Sequence, residues 1–420
     1  MDVRIKPSNL SGEIAIISSK SLSHRYVIAA ALSNQDSIVK NVLESNDLQA
    51  TKAALNVIGA KFEGDKIMPA NFKLIANTIN VNESGSTLRF MIPIYMLQNE
   101  EITIDGTNRL VDRPLDVYDE IFKDKQVIFK HLNPSHQLPV LVQGKIKGGY
   151  FPLRGDVSSQ FISGLLFALP LLSRDSVIEL LSPLESKGYV DLTLDVLKKY
   201  GIHILHVDQY LYIKGSQKYQ AKDFVVEGDF SQSVFWIAAG LFGNQPIYLK
   251  NLNNDSLQGD KKIIEIIQQM GGDIIYNEGV YKVLPSLTKG IIIDLAQIPD
   301  LGPMLMGIAA LSQGTTTFIH FERLRIKESD RVEAMKDVLS KFGVDMKIYK
   351  DKIEIIGKKV LKGNVIIDTF NDHRIAMAAS ILAIKADGDV LIRQAECVQK
   401  SYPTFFNEYQ KLGGDIYEVR

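Results

Sequence analysis

The sequence has a single cysteine, Cys397, among 420 residues. No intrachain disulfide can form, nothing points to a zinc or iron–sulfur site, and a reducing, cytoplasmic compartment is expected. Charge of one sign is also lacking. Lys and Arg number 48 and Asp and Glu 49, a net charge of −1. No overall basic field exists for nucleic-acid binding, so any basic site must be a local concentration of Lys and Arg. Long hydrophobic runs are missing too. The most apolar stretches, such as Phe161 to Leu172, are about 12 residues long, shorter than the roughly 20 a membrane span needs. They read as buried core helices, with no membrane partner. The N-terminus, MDVRIKPSNLSGEIAI, has no apolar signal-peptide core. Nor is there a phosphate-binding GxxxxGK(S/T) loop, a GxGxxG after a strand, or a Cys/His cluster. GDVSSQ and GDFSQS are not nucleophile elbows. What these absences leave is chemistry without a cofactor or metal: proton transfers on substrates that carry their own phosphate.

What is present starts with size. A chain of this length exceeds one compact core, and two domains of roughly 200 residues are the natural division. Apolar residues make up 45% and charged residues 23%, the balance of a globular protein.

The most informative positive feature is self-similarity. Helical stretches ending in glycine recur as AALNVIGAKF, VLKKYGIHI, IIQQMGGDI, VLSKFGVDM and YQKLGGDI. Their glycines, Gly59, Gly201, Gly271, Gly343 and Gly413, are spaced by 142, 70, 72 and 70 residues. The doubled first interval places a further copy near residue 125, where VYDEIFKDKQVIF has Asp124 or Lys125 in the glycine's place. Each copy reads as an amphipathic helix stopped by a glycine able to take a left-handed conformation, followed by a strand. A second series of apolar helices begins near Ser21, Ser86, Ser159, Ser231, Leu301 and His373, each leading into a β-rich stretch such as SVIELL or DVLIRQ. The unit is thus about 70 residues long, and six units group as two α/β (α+β) domains of three, each with a packed core.

The starts of the apolar helices read SSKSLSHR, ESGSTLR, DVSSQF, GDFSQS, IPDLGP and NDHR. Ser, Asp and Asn there are ordinary N-caps. Capping does not call for Lys20, Arg25, Arg89 or Arg374, because a cation in the first turn opposes the helix dipole. An external anion held by dipole, backbone N–H groups and cations would account for them. Gly85 would let backbone approach such a ligand. Further cations lie in GTNRLVDRP (Arg109, Arg113), ERLRIKESDR (Arg323, Arg325, Lys327, Arg331) and QKSYP (Lys400). Glu328 and Asp330 are interleaved, so ERLRIKESDR is either a solvated charged face or a set of carboxylates tuned for proton transfer. Asp300 in IPD is either a helix cap or a base.

Eleven of these motifs stand in the order found in one family: SKSLSHR, ESGSTLR, RLVDRP, GDVSSQF, SKGYVDLT, VEGDFSQS, LQGD, IPD, RIKESDR, NDHRIAMA and QKSYP. Along nearly its whole length the chain resembles the 5-enolpyruvylshikimate-3-phosphate synthases. The resemblance implies an inverse β-prism fold: two domains of three βαβαββ units with buried helices. It also implies a discontinuous arrangement, 1–17 with 228–420 and 18–227, with the active site in the cleft between them. The implied activity is transfer of the enolpyruvyl group of phosphoenolpyruvate to the 5-hydroxyl of shikimate 3-phosphate by a cytoplasmic monomer.

By the same resemblance, Lys20, Ser21, Arg25, Ser158, Ser159, Gln160, Ser186, Tyr189, Asp300 and Lys327 meet shikimate 3-phosphate. Lys20, Gly85, Arg109, Gln160, Arg331, Arg374 and Lys400 meet phosphoenolpyruvate. Asp300 and Glu328 are the acid–base pair, with Lys20 assisting. Four departures from the family pattern carry no role: Ile17-Ser18 for Pro-Gly, Glu83 for an amide, Phe90 for Pro, and Arg323 for Asn. Glu83 beside an anion site is unfavourable unless paired. Two other readings are a sister enolpyruvyl transferase acting on UDP-N-acetylglucosamine and a non-catalytic binding protein that keeps the fold. The SSQ, SKGY and KESDR motifs stand against the first, and intact Lys20, Asp300, Glu328 and Arg374 against the second.

Overall fold

The computed structural model describes residues 1–419. The chain divides into two compact units, Met1–Ser19 with Glu227–Arg420, and Lys20–Val226. Ser18, Ser19 and Glu227 were expected with the middle segment but belong to the first unit. The reason is local: Ser18 bridges Gly228, and the Ser19 N–H donates to the Glu227 carbonyl at 2.8 Å.

Twelve helices of two kinds alternate along the described residues. The apolar series is α1 (Lys20–Ala31), α3 (Gly85–Tyr95), α5 (Ser159–Ala168), α7 (Phe230–Phe242), α9 (Gly302–Leu311) and α11 (His373–Leu382). The amphipathic series is α2 (Asn46–Val57), α4 (Asp116–Phe122), α6 (Lys187–Lys199), α8 (Ile263–Gln269), α10 (Arg331–Lys341) and α12 (Phe405–Lys411). In α7 every residue is buried, as an apolar sequence on all faces requires. Among the described residues no helix is long and apolar enough to cross a membrane.

Six four-stranded sheets share one topology. In each, an edge strand lies parallel to the next, which pairs antiparallel with the second strand of a hairpin. Tyr150–Leu153, Ser176–Leu180, Tyr210–Ile213 and Ile204–Val207 show the order. Pro152 sits on the edge strand, where its missing N–H removes no interior ladder bond. Every sheet thus belongs to a βαβαββ unit, three per compact unit. Three repeats are completed out of chain order, one of them by Gly12–Ala15 as the parallel edge strand beside Ile247–Lys250. Asp2–Lys6 supplies the last hairpin strand, pairing Ile5 with both Val390 and Ile416. Phe224–Val225 supplies the edge strand beside Ser37–Lys40.

All five repeat glycines have positive φ, from 77° at Gly343 to 97° at Gly413. In the sixth copy the left-handed residue is neither Asp124 nor Lys125 but Gln126, at φ 58°. The chain there makes an extra turn after α4 before reversing. Close packing of α3 on α5 needs Gly164, where a Cβ would come within 2.3 Å of the Arg89 carbonyl oxygen.

Candidate active site

In the unit Lys20–Val226 the starts of α1, α3 and α5 carry most of the expected residues. Ser84 caps α3 by accepting from the Thr87 N–H, and Ser158 caps α5 by accepting from the Gln160 N–H. Capping therefore explains these serines, and the cations need a separate account. Lys20 Nζ meets Asp47 Oδ2 at 3.1 Å. Arg25 is buried, with Nε donating to Thr193 Oγ1 at 2.8 Å and its Nη atoms to the carbonyls of Ser21 and Tyr189, both at 2.8 Å. Neutral oxygens thus satisfy its geometry while its charge has no carboxylate among these partners. Burial pushes its pKa down to about 10. Such a buried, uncompensated cation is suited to a phosphate.

Gln160 spans α5 and α3. Its Oε1 accepts from Arg89 Nη1 at 2.8 Å and its Nε2 donates to Ser86 Oγ at 3.0 Å. Gly85 lies against two guanidiniums, since a Cβ there would sit 2.7 Å from Arg113 Nη1 and 3.1 Å from Arg89 Nη1. Ser159 is buried in the first turn of α5. Ser186 starts α6 in a left-handed conformation, φ 52°, and Tyr189 follows one turn on. A non-glycine residue held there marks local strain of the kind found at functional sites. Arg109 is exposed on the turn Asn108–Asp112, and Glu83 accepts a hydrogen bond from the Asn108 amide. Phe90 is buried with its ring 5.4 Å from the Arg25 guanidinium, a cation–π contact.

The other unit has a different character, with carboxylates interleaved among its cations. Asp300 does not cap α9. It lies in the turn Pro299–Leu301, and the helix begins after Leu301 without a side-chain cap. Its carboxylate instead meets Lys327 Nζ at 3.2 Å, Arg331 Nη1 at 3.1 Å and Arg374 Nη2 at 3.4 Å. Arg331 Nη2 also donates to Glu328 Oε2 at 2.8 Å. One guanidinium therefore holds both Asp300 and Glu328. Behind it, Arg331 Nε donates to Asp372 Oδ2 at 2.8 Å. Burial opposes the charge on Arg331, but Asp372, Glu328 and Asp300 outweigh it and hold its pKa above the ordinary value. Arg374 Nη2 reaches Ser231 Oγ at 3.0 Å, and Lys400 Nζ donates to the Asn371 carbonyl at 2.6 Å. Among the described residues no group of three or more His, Cys, Asp or Glu is placed to hold a metal ion.

Two members of these clusters escaped the sequence reading: Asp47 holds Lys20, and Asp372 anchors Arg331. Arg113, legible only as a loop cation, packs on Gly85. For Asp372 a signal existed: an N-cap acid two residues before Arg374 in NDHR. Asp47 has none, since it lies 27 residues from its partner.

The family model for EPSP synthase (3-phosphoshikimate 1-carboxyvinyltransferase) matches residues 5–409. A 3-phosphoshikimate 1-carboxyvinyltransferase of Clostridium acetobutylicum is 44% identical over 99% of this chain and 98% of its own length. One from Clostridium novyi is 45% identical over the same shares. Among solved structures, an EPSP synthase from Acinetobacter baumannii superposes with a TM-score of 0.83 at 23% identity, covering 99% of this chain and 100% of its own. The enolpyruvyl transferase NikO from Streptomyces tendae superposes with a TM-score of 0.80 at 14% identity, over 100% and 98%. These two likenesses carry the fold, and the matches in sequence carry the family: the chain belongs to the EPSP synthases, the 3-phosphoshikimate 1-carboxyvinyltransferases.

Proposed function

We propose that this chain transfers the enolpyruvyl group of phosphoenolpyruvate to the 5-hydroxyl of shikimate 3-phosphate, with the acid–base work on Asp300 and Glu328. The observation that carries this assignment is that Arg331 bonds both carboxylates, at 3.1 and 2.8 Å. A rigid cation between two carboxylates holds them at a set spacing, which a reaction with two proton transfers at neighbouring atoms requires.

Phosphoenolpyruvate is an enol ester of phosphate. A proton from Glu328 adds to its methylene carbon, leaving the central carbon electrophilic. Asp300 takes the proton of the 5-hydroxyl, whose oxygen attacks that carbon to give a tetrahedral intermediate. Phosphate then leaves with the electrons of its C–O bond, and the new methyl group returns a proton to Glu328, with Lys20 assisting. Each well-placed acid or base contributes about 10²–10⁴-fold. Lys20, Ser21, Arg25, Ser158, Ser159, Gln160, Ser186, Tyr189 and Lys327 bind shikimate 3-phosphate in this reading. The buried charge of Arg25 is the feature that favours a phosphate there. Lys20, Gly85, Arg109, Gln160, Arg331, Arg374 and Lys400 bind phosphoenolpyruvate. A monomer in the cytoplasm is the setting proposed, since the lone Cys397 calls for no oxidising compartment.

Phosphate release by the purified chain tests the reading. Release with phosphoenolpyruvate and shikimate 3-phosphate, and none with UDP-N-acetylglucosamine as acceptor, is expected. Release with the sugar nucleotide alone would overturn the acceptor, and release with neither would favour a binding protein.

A further inference from the structure

Two rungs tie α1 to α2. Lys20 and His24 are four residues apart on α1, and Asp47 and Thr51 four apart on α2, so each pair shares a helix face. The first rung is the ion pair of Lys20 with Asp47, at 3.1 Å. The second joins His24 Nδ1 to Thr51 Oγ1 at 2.8 Å. From Thr51 the bonds continue outward. Thr51 Oγ1 lies 2.6 Å from Thr87 Oγ1, which lies 2.7 Å from Ser84 Oγ, the cap of α3. Both threonine hydroxyls also reach the Asp47 carbonyl, at 3.4 Å.

His24 is 1% exposed, and its Nε2 has no hydrogen-bond partner among the described residues. The ring packs perpendicular to that of Phe90, with centroids 6.4 Å apart. Burial, with Lys20 and Arg25 nearby, holds its pKa well below the usual histidine range, so the ring is neutral. A half-satisfied imidazole in a core is less favourable than an apolar side chain of similar size. What an apolar residue could not supply is the Nδ1 contact that starts the hydroxyl chain.

We propose that His24 is a positioning residue for the enolpyruvyl transfer. Through Thr51 it sets the register of α1 on α2, and with it the place of Lys20. Through Thr87 and Ser84 it sets the first turn of α3, and with it Gly85 and Ser86. The proposal rests on the reading above that Lys20 and Gly85 meet phosphoenolpyruvate. His24 itself touches no substrate in it.

The test compares His24→Leu, His24→Asn and Thr51→Val by steady-state kinetics and thermal unfolding. His24→Leu removes the polar contact, and Thr51→Val removes the hydroxyl hub with almost no change of shape. Both should lower kcat/KM for phosphoenolpyruvate on the order of 10–100-fold, the effect of sub-ångström to ångström misplacement. KM for shikimate 3-phosphate should rise less than KM for phosphoenolpyruvate, because Lys20 meets both substrates whereas Gly85 meets only phosphoenolpyruvate and Arg25 is held by other partners. His24→Asn, which keeps a polar atom near Nδ1, should recover most of the loss. Leu and Val variants that fold and keep wild-type kinetics would overturn the proposal, as would an Asn variant no better than Leu. If His24→Leu does not fold, Thr51→Val alone decides by the same criterion. Absence of transfer in the wild-type chain would instead overturn the proposed reaction, so the two failures are distinguishable.

Discussion

Arg331 and Asp372 form a buried ion pair, Nε to Oδ2 at 2.8 Å, with side chains 1% and 0% exposed. Asp372 also caps α11 by accepting from the Arg374 N–H at 2.9 Å. One carboxylate thus orients the guanidinium that holds Asp300 and Glu328 and the helix that carries Arg374.

Removing that carboxylate leaves a buried cation short of a partner. Asp372→Ala should destabilise the protein by about 3–5 kcal/mol, read from the midpoint of urea unfolding. Despite its burial, Asp372 is held below the usual carboxylate range by Arg331. Its folded pKa therefore lies below its unfolded value of about 3.9. The pair's contribution is full above that unfolded value and is lost as pH falls toward the folded one. The stability gap between wild type and variant should be constant near neutrality and shrink below about pH 4.

Burial pushes the Lys327 ammonium down to about 8, against the attraction of Asp300 and with help from Arg323 and Arg331. If Lys327 meets shikimate 3-phosphate as a cation, kcat/KM for that substrate should fall as pH rises through about 8. Lys327→Arg should move this limb to higher pH, since arginine stays charged above about pH 12. A limb unmoved in the Arg variant would exclude Lys327 as its source.

At Gly85 a methyl group would meet the far end of Arg113, at 2.7 Å from Nη1, rather than backbone. The side chain can give way, so Gly85→Ala should change stability by less than about 0.5–1 kcal/mol. The displaced guanidiniums should raise KM for phosphoenolpyruvate with a smaller effect on KM for shikimate 3-phosphate. Equal effects on both would separate Gly85 from the phosphoenolpyruvate site.

Gln126 occupies the left-handed position that glycine fills in the other five repeats, at φ 58°. Relief of the Cβ clash should make Gln126→Gly more stable by up to about 1 kcal/mol, despite the added chain entropy. A destabilised variant would show that its side chain matters more, through the 3.1 Å bond from Lys147 Nζ.

The periodic features of this fold were legible because each repeats a local rule. A helix-stopping glycine with its strand, and an apolar helix with a polar start, recur often enough to count. Gln126 was misplaced because a left-handed turn tolerates glutamine at modest strain, which leaves no mark in composition. Asp300 was open between cap and base; it does not cap α9, and its carboxylate lies among Lys327, Arg331 and Arg374, a placement no local rule predicts. Pairs distant along the chain stayed hidden. Arg331 and Asp372 are 41 residues apart and Lys20 and Asp47 are 27 apart, and no period links them. The basic residues of QKSYP and NDHR were legible as cations. That Lys400 donates to the Asn371 carbonyl could be read only from the folded chain.

The most direct test of the chemistry is transfer carried out in D₂O, with the product vinyl group read by proton NMR. Addition–elimination makes the methylene carbon a methyl group before it loses a proton, so solvent deuterium should appear in the product. Glu328→Gln should cut turnover by about 10²–10⁴-fold while shikimate 3-phosphate still binds. Product formed at a wild-type rate without deuterium, or full turnover in the Gln variant, would contradict the account.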